Sequence, residues 1–233
     1  MKRKNKMLLS VNADAKTSKG TSKGYLSGIL YMLPNYKTCP SASKGCMKAC
    51  LQSAGRGKFS NVREARKAKR DLFYSDQKFF MASLVWSIEK VIRKAKRENL
   101  TPVIRLNGTS DIAYEDIKLE SGKNIFETFP DVQFYDYTTR DDRTSAMRGD
   151  WSNYHLTFSR KEDNHDKSML VNQIFGLNVA VVFDKVPEVW QGKKVINGDE
   201  TDLRFLDQKN VVVGLTAKGK AKNDNSGFTV RGV

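Results

Sequence analysis

Six short apolar runs limit what this chain can fold into more than any other feature. They are Tyr25–Pro34, Thr101–Leu106, Val132–Tyr137, Tyr154–Phe158, Asn178–Phe183 and Asn210–Leu215. Most are continuously apolar rather than alternating, the pattern of strands covered on both faces, and so of a parallel sheet with helical crossovers. The intervening segments supply the helices. Gly45–Ala54 predicts a short helix stopped by Gly55 and Gly57. Asn61, with Glu64 three residues on, has capping-box spacing and predicts a helix over Val62–Tyr74. The pattern restarts at Asp76, and Phe80, Leu84, Ile88, Val91 and Ala95 form one apolar face. Asp166–Gly176 reads as a short helix with Met169, Leu170, Ile174 and Phe175 on its apolar side. Lys185–Asp207 is polar and reads as an irregular insertion or a small hairpin. The expected fold is α/β: a TIM-like parallel barrel, complete or partial, of about six strands, in a single domain over residues 25–233.

Several of these runs end on small polar or charged residues. Asn107, Thr109, Ser110 and Asp111 follow the second run, Asp136 and Thr138-Thr139-Arg140 close the third, and Ser159-Arg160 follows the fourth. Asp184 follows the fifth and Thr216-Ala217-Lys218 the sixth. In parallel folds the C-terminal strand ends converge on the ligand site. Asn107, Thr109, Ser110, Asp111, Asp136, Arg160, Asp184 and Lys218 are therefore candidate ligand-binding residues. The three aspartates suit a substrate amine or ribose hydroxyls, or else cap helices; Arg140 and Arg160 suit an anion at the mouth.

All three cysteines, Cys39, Cys46 and Cys50, fall within twelve positions just after the first run. An odd cysteine count argues against a disulfide framework. Three thiolates so close together suit a metal. They can bind zinc with a fourth ligand, for which the chain offers only His155 and His165. They can equally hold a [4Fe–4S] or [3Fe–4S] cluster. Arg56 and Arg105 are candidates to offset the negative charge of such a site. Backbone N–H groups around Gly45 are candidate donors to its sulfur.

Lysine and arginine number 41 against 26 acidic residues, a formal charge of +15. Such an excess suits a polyanion partner, nucleic acid above all, and gives affinity without specificity. A basic nucleic-acid-binding protein with a structural zinc on the three cysteines is thus the alternative function. Residues 1–24 carry two Ser-Lys-Gly repeats and read as a flexible basic lead-in. The start M-K-R-K-N-K-M-L-L-S opens like a signal peptide, but its apolar run stops at Leu9, and no run approaches the roughly 18–20 residues of a membrane span. A cytoplasmic protein without membrane contact is expected.

Four motifs carry a resemblance. They are C-P-S-A-S-K-G-C-M-K-A-C-L-Q-S-A-G-R-G at Cys39–Gly57, V-I-R-L-N-G-T-S-D-I at Val103–Ile112, L-T-F-S-R at Leu156–Arg160 and V-G-L-T-A-K-G at Val213–Gly219. From Tyr25 to Gly219 the chain resembles a phage-encoded family of unassigned function. That family is similar to radical-SAM proteins in placing three cysteines after the first strand of a TIM-like barrel. The resemblance implies an iron–sulfur cluster on Cys39, Cys46 and Cys50, redox or radical chemistry, S-adenosylmethionine as its companion, and the cytoplasm of an infected host cell. Three features depart from the radical-SAM pattern. The spacing here is C-x6-C-x3-C rather than C-x3-C-x2-C, Ala49 replaces the usual aromatic before the last cysteine, and Asn107–Asp111 stands where Gly-Gly-Glu would hold the methionine amine.

Overall fold

Each of the six apolar runs is a strand in the computed structural model, which describes residues 4–11 and 15–232. They are β2 (Tyr25–Leu30), β3 (Thr101–Arg105), β4 (Gln133–Thr138), β5 (Tyr154–Ser159), β6 (Val179–Phe183) and β9 (Val212–Thr216). These six pair in parallel and in sequence order, from Tyr25↔Thr101 at one side to Phe183↔Thr216 at the other. Among the described residues the sheet has nine strands. β1 (Leu9–Val11) pairs antiparallel with β2 at one edge. The hairpin β7 (Val189–Trp190) and β8 (Lys193–Asn197) closes the other edge, with β8 parallel to β9. The fold is therefore a mixed α/β domain with an open, mostly parallel sheet. Because the central strands run in parallel, every loop leaving them emerges on one edge.

The helices are α1 (Ala15–Thr21), α2 (Lys44–Ala49), α3 (Ser60–Ser75), α4 (Gln77–Arg97), α5 (Ile125–Thr128), α6 (Thr144–Arg148) and α7 (His165–Phe175). The Asp76 carboxylate caps α4, accepting the Phe79 N–H at 3.1 Å. Phe80, Leu84, Ile88, Val91 and Ala95 of α4 are almost fully buried and pack into one core with Ile104, Phe134, Leu156 and Phe158. No helix among the described residues is long and apolar enough to cross a membrane.

Within residues 1–24, expected as a flexible basic lead-in, Leu8 and Leu9 are buried, β1 extends the sheet and α1 spans Ala15–Thr21, while residues 1–3 and 12–14 lie outside the described residues. Three local expectations are corrected. Asn61 does not cap α3, which starts one residue earlier; its side chain accepts the N–H of Val62 instead. The Gly45–Ala54 helix ends at Ala49, and 3₁₀ turns at Leu51–Ser53 and Gly55–Lys58 follow. α7 is rotated from its expected face: Val171 is buried, while Leu170 and Ile174 are 52% and 62% exposed.

The second face of the sheet is filled by the chain itself. Val103, Tyr135 and Leu203 form a small core with Tyr25 and Phe205, so the segment around the 3₁₀ turn Arg204–Leu206 lies over the strands. This face is polar as well. Arg105 pairs with Asp202 at 2.6 Å and lies over the Tyr137 ring, and Arg204 pairs with Asp207 at 3.2 Å. His155 lies here, with Nε2 buried and, among the described residues, without a hydrogen-bond partner. Burial, then the charges of Arg204 and Lys209, push its pKa down to about 4. The unfolded chain therefore binds a proton at His155 between about pH 4 and 6.5 that the folded protein does not, and this contribution to stability grows as pH rises. Asp136 and Asp207 act in the opposite sense. Burial raises them to about 7 and about 6, so their contributions fall as pH rises above about 4. Replacing His155 with Phe is expected to remove the opposing slope, at most about 1.4 kcal/mol per pH unit. In urea titrations between about pH 4.5 and 6 the variant should lose stability with pH more steeply than the parent. Parallel profiles would mean His155 is protonated when folded.

Candidate metal centre

The cysteine loop leaves the C-terminal end of β2 through a turn built on Asn35, whose side-chain carbonyl accepts the N–H groups of Lys37 (3.0 Å) and Thr38 (2.8 Å). The Cys39 N–H then donates to the Asn35 carbonyl at 2.9 Å. Ser43 caps α2 by accepting the Cys46 N–H at 3.0 Å, which fixes Cys46 in the first turn. α2 ends at Cys50, which starts the 3₁₀ turn Leu51–Ser53.

The Asn107–Asp111 segment clamps this loop from β3. The Gly108 N–H donates to the Leu30 carbonyl (3.0 Å), the Thr109 hydroxyl to the Met32 carbonyl (2.6 Å) and the Asp111 N–H to the Thr38 carbonyl (2.7 Å). Cys39 Sγ lies 4.0 Å from the Thr109 carbonyl. A Cβ on Gly108 would sit 2.7 Å from the Tyr31 ring and 2.8 Å from the Leu30 carbonyl oxygen. Gly108→Ala is therefore expected to cost about 1–3 kcal/mol in denaturant unfolding, as overpacking does. A loss below about 0.5 kcal/mol would mean the clamp has slack.

All three thiols are half-buried, and their electrostatics are coupled. Burial first, then the charges of Asp111, Cys50 and Cys46, push the Cys39 thiol up to about 12. Burial, Cys50, Glu162 and Asp111 do the same to Cys46. Burial also raises Cys50, against N–H donation from Gln52 and Leu51 and the positive charge of Arg66. Lys161 favours the Cys46 thiolate. Burial thus favours the protonated thiols, and any metal bound there must displace those protons. Among the described residues, no three His, Cys, Asp or Glu side chains are grouped as around a single ion.

Cys39 Sγ neighbours the Thr109 carbonyl, and the charges of Asp111, Cys46 and Cys50 bear on it without the three thiols being grouped around one point. Glu162, Lys161 and Arg66 join them without having been foreseen. Glu162 accepts the Gly45 N–H at 2.7 Å, and a Cβ on Gly45 would strike that carboxylate and the Ser226 hydroxyl. The Gly45 N–H, expected to face sulfur, is therefore already used. Glu162 follows β5 at the same sheet edge, two residues past Arg160; extending the strand-end rule that far would have found it.

The remaining candidates have other partners. Arg105 faces Asp202 across the filled face. The Asn107 amide bonds the Ile112 carbonyl and Asp136, and the Ser110 hydroxyl bonds the Asn107 side chain. Asp136, fully buried, accepts the Asn107 N–H (2.7 Å) and the Tyr154 hydroxyl (3.1 Å). Asp111 also accepts the Thr138 hydroxyl and the Thr139 N–H, each at 2.8 Å. Arg160 holds the carbonyls of Gly227 and Phe228, and Arg140 pairs with Asp142. Asp184 is exposed beside Arg231, Lys218 is exposed and paired with Asp199, and Arg56 lies on the exposed turn Gly55–Lys58. His155 sits near the start of β5, away from the cysteine edge, and His165 packs edge-on against Trp190 at 5.3 Å.

No curated protein and no solved structure matches the chain. The model of the bacteriophage-type family described as Gene product 88 matches residues 6–232, and the chain belongs to that family.

Proposed function

We propose that this chain is an iron–sulfur protein, with Cys39, Cys46 and Cys50 holding a [4Fe–4S] or [3Fe–4S] cluster at the C-terminal edge of the parallel sheet. One observation carries the reading: the only three thiols of the chain lie on one loop, which the Asn107–Asp111 segment clamps. A single tetrahedral zinc holds its sulfurs about 2.3 Å from the metal and so closely grouped, whereas a cluster gives each cysteine its own iron and tolerates a wider set. When bound, such a cluster supplies one-electron redox chemistry. The chain's part is to hold the thiolates and balance their charge. The Leu51 and Gln52 N–H groups serve Cys50, with Arg66 and Lys161 as the nearby cations.

Radical chemistry with S-adenosylmethionine is the finer version of the proposal. Six sequential parallel strands suit a partial barrel, and Phe205 touching both Tyr25 of β2 and Tyr135 of β4 suits a sheet curled around its filling segment. The Asn107–Asp111 side chains are engaged in the clamp and with Asp136, so an amine clamp like Gly-Gly-Glu has no counterpart there.

Metal and sulfide analysis of anaerobically purified protein tests the proposal. About three or four irons per chain, matching acid-labile sulfide and visible absorption are expected. A colourless protein with one zinc would overturn it and favour the structural-zinc alternative. Adding S-adenosylmethionine under reducing conditions decides the finer version: 5′-deoxyadenosine supports it, and an unchanged cluster EPR signal without cleavage removes it.

A further inference from the structure

We infer that the rim around the cysteine loop is a binding surface for single-stranded nucleic acid. The inference does not rest on the cluster. From Ala15 to Arg63 the chain has nine lysines and arginines and no acidic residue. Within this stretch Lys37, Lys44, Lys48 and Lys58 are exposed, and among the described residues none of the four has an acidic partner. The C-terminal 3₁₀ turn Gly219–Asn223 joins them: Ala221 packs with Ala49, the Lys220 N–H meets the Ser53 hydroxyl at 3.3 Å, and Lys220 and Lys222 are exposed.

A basic face that served only solubility would carry polar surroundings. This rim carries bare rings. Tyr36 is 57% exposed beside Lys37, and Phe59 is 60% exposed beside Lys58. Tyr74, in the last turn of α3, is 46% exposed. Exposed aromatic rings between cations are the elements that bind single strands, bases stacking on rings while phosphates meet lysines. Paired bases in a duplex hide the faces such rings need. The other basic concentration, a surface groove lined by Lys90, Arg93, Lys96 and Arg97, lies at the C-terminal end of α4, four residues before β3 and so at the opposite edge of the sheet. Its ring, Trp86, is only partly exposed and lies under the Lys90 ammonium, so this groove supplies the control.

Fluorescence anisotropy with a labelled oligothymidylate, over a range of KCl concentrations, tests the inference. The parent protein should bind, more weakly as salt rises. Replacing Lys44 and Lys48 together with Gln should make the log–log salt slope shallower by about 1.4, at roughly 0.7 for each single-strand phosphate contact. Replacing Tyr36 and Phe59 with Ala should weaken binding at least about fivefold per ring while leaving the slope unchanged. Replacing Lys90 and Arg93 with Gln should leave affinity within about twofold. Absence of binding at low salt would overturn the inference, as would tighter binding to a duplex or to phosphatidylserine vesicles, or an equal loss in the α4 pair. All these side chains are exposed, and circular dichroism melts confirm that each variant is folded. Running the series on the Cys46→Ser protein as well separates this result from the outcome for the cluster.

Discussion

Cys46→Ser protein, purified anaerobically beside the parent, is expected to fall from about three or four irons per chain to fewer than one, and to lose its visible absorption. Cys46 is held from both its backbone and its surroundings. Ser43 fixes its N–H, Glu162 holds the neighbouring Gly45 N–H, and Lys161 and Glu162 place opposite charges near its sulfur. A serine oxygen is a harder donor and a poorer iron ligand at neutral pH. The substitution removes no core packing, since Cys46 is only half-buried, so the fold should persist. A Cys46→Ser protein that keeps its full iron content would exclude Cys46 as a ligand.

Arg143→Met is expected to lower global stability by about 3–5 kcal/mol, the cost of leaving buried carboxylates without their cation. Arg143 is 3% exposed. Its guanidinium grips Glu115 with two bonds of 2.6 and 2.7 Å, donates to the Tyr154 hydroxyl at 2.6 Å and reaches Asp111 at 3.4 Å. Methionine fills similar volume but strands Glu115, itself 5% exposed, and loosens Asp111, whose N–H tethers the cysteine loop at Thr38. The urea midpoint should fall by roughly 1–2 M at an unchanged m-value. Replacing Glu115 with Gln in the same protein should restore part of the loss, because one stranded charge is then gone. A loss under about 1 kcal/mol for Arg143→Met alone would mean that water reaches the carboxylates and that the network is not closed.

Much of this was legible in the residues, because it depends on near neighbours. Continuous apolar runs such as Val179–Phe183 can only be buried on both faces, which makes them parallel strands. The three- and four-residue spacing from Phe80 to Ala95 puts five side chains on one helical stripe, and all five are buried. α7 was misread because its apolar residues are spread around the helix, and packing rather than period decided which of them face inward.

By itself the sequence determined the six central strands and their parallel direction, the edge on which their loops emerge and the bunching of three thiols on the first of those loops. Each of these follows from local pattern or from chain order. Only the tertiary structure decided which polar strand-end residues face the cysteines and which are used up elsewhere. Arg105 is neutralised by Asp202, 97 residues away, and Asp136 is sealed by Asn107, just past β3, and by Tyr154 of β5. Glu162 reaches Gly45 across 117 residues. A buried charge must find its partner wherever the fold brings one, and that partner is fixed by how distant segments pack, which no local pattern encodes.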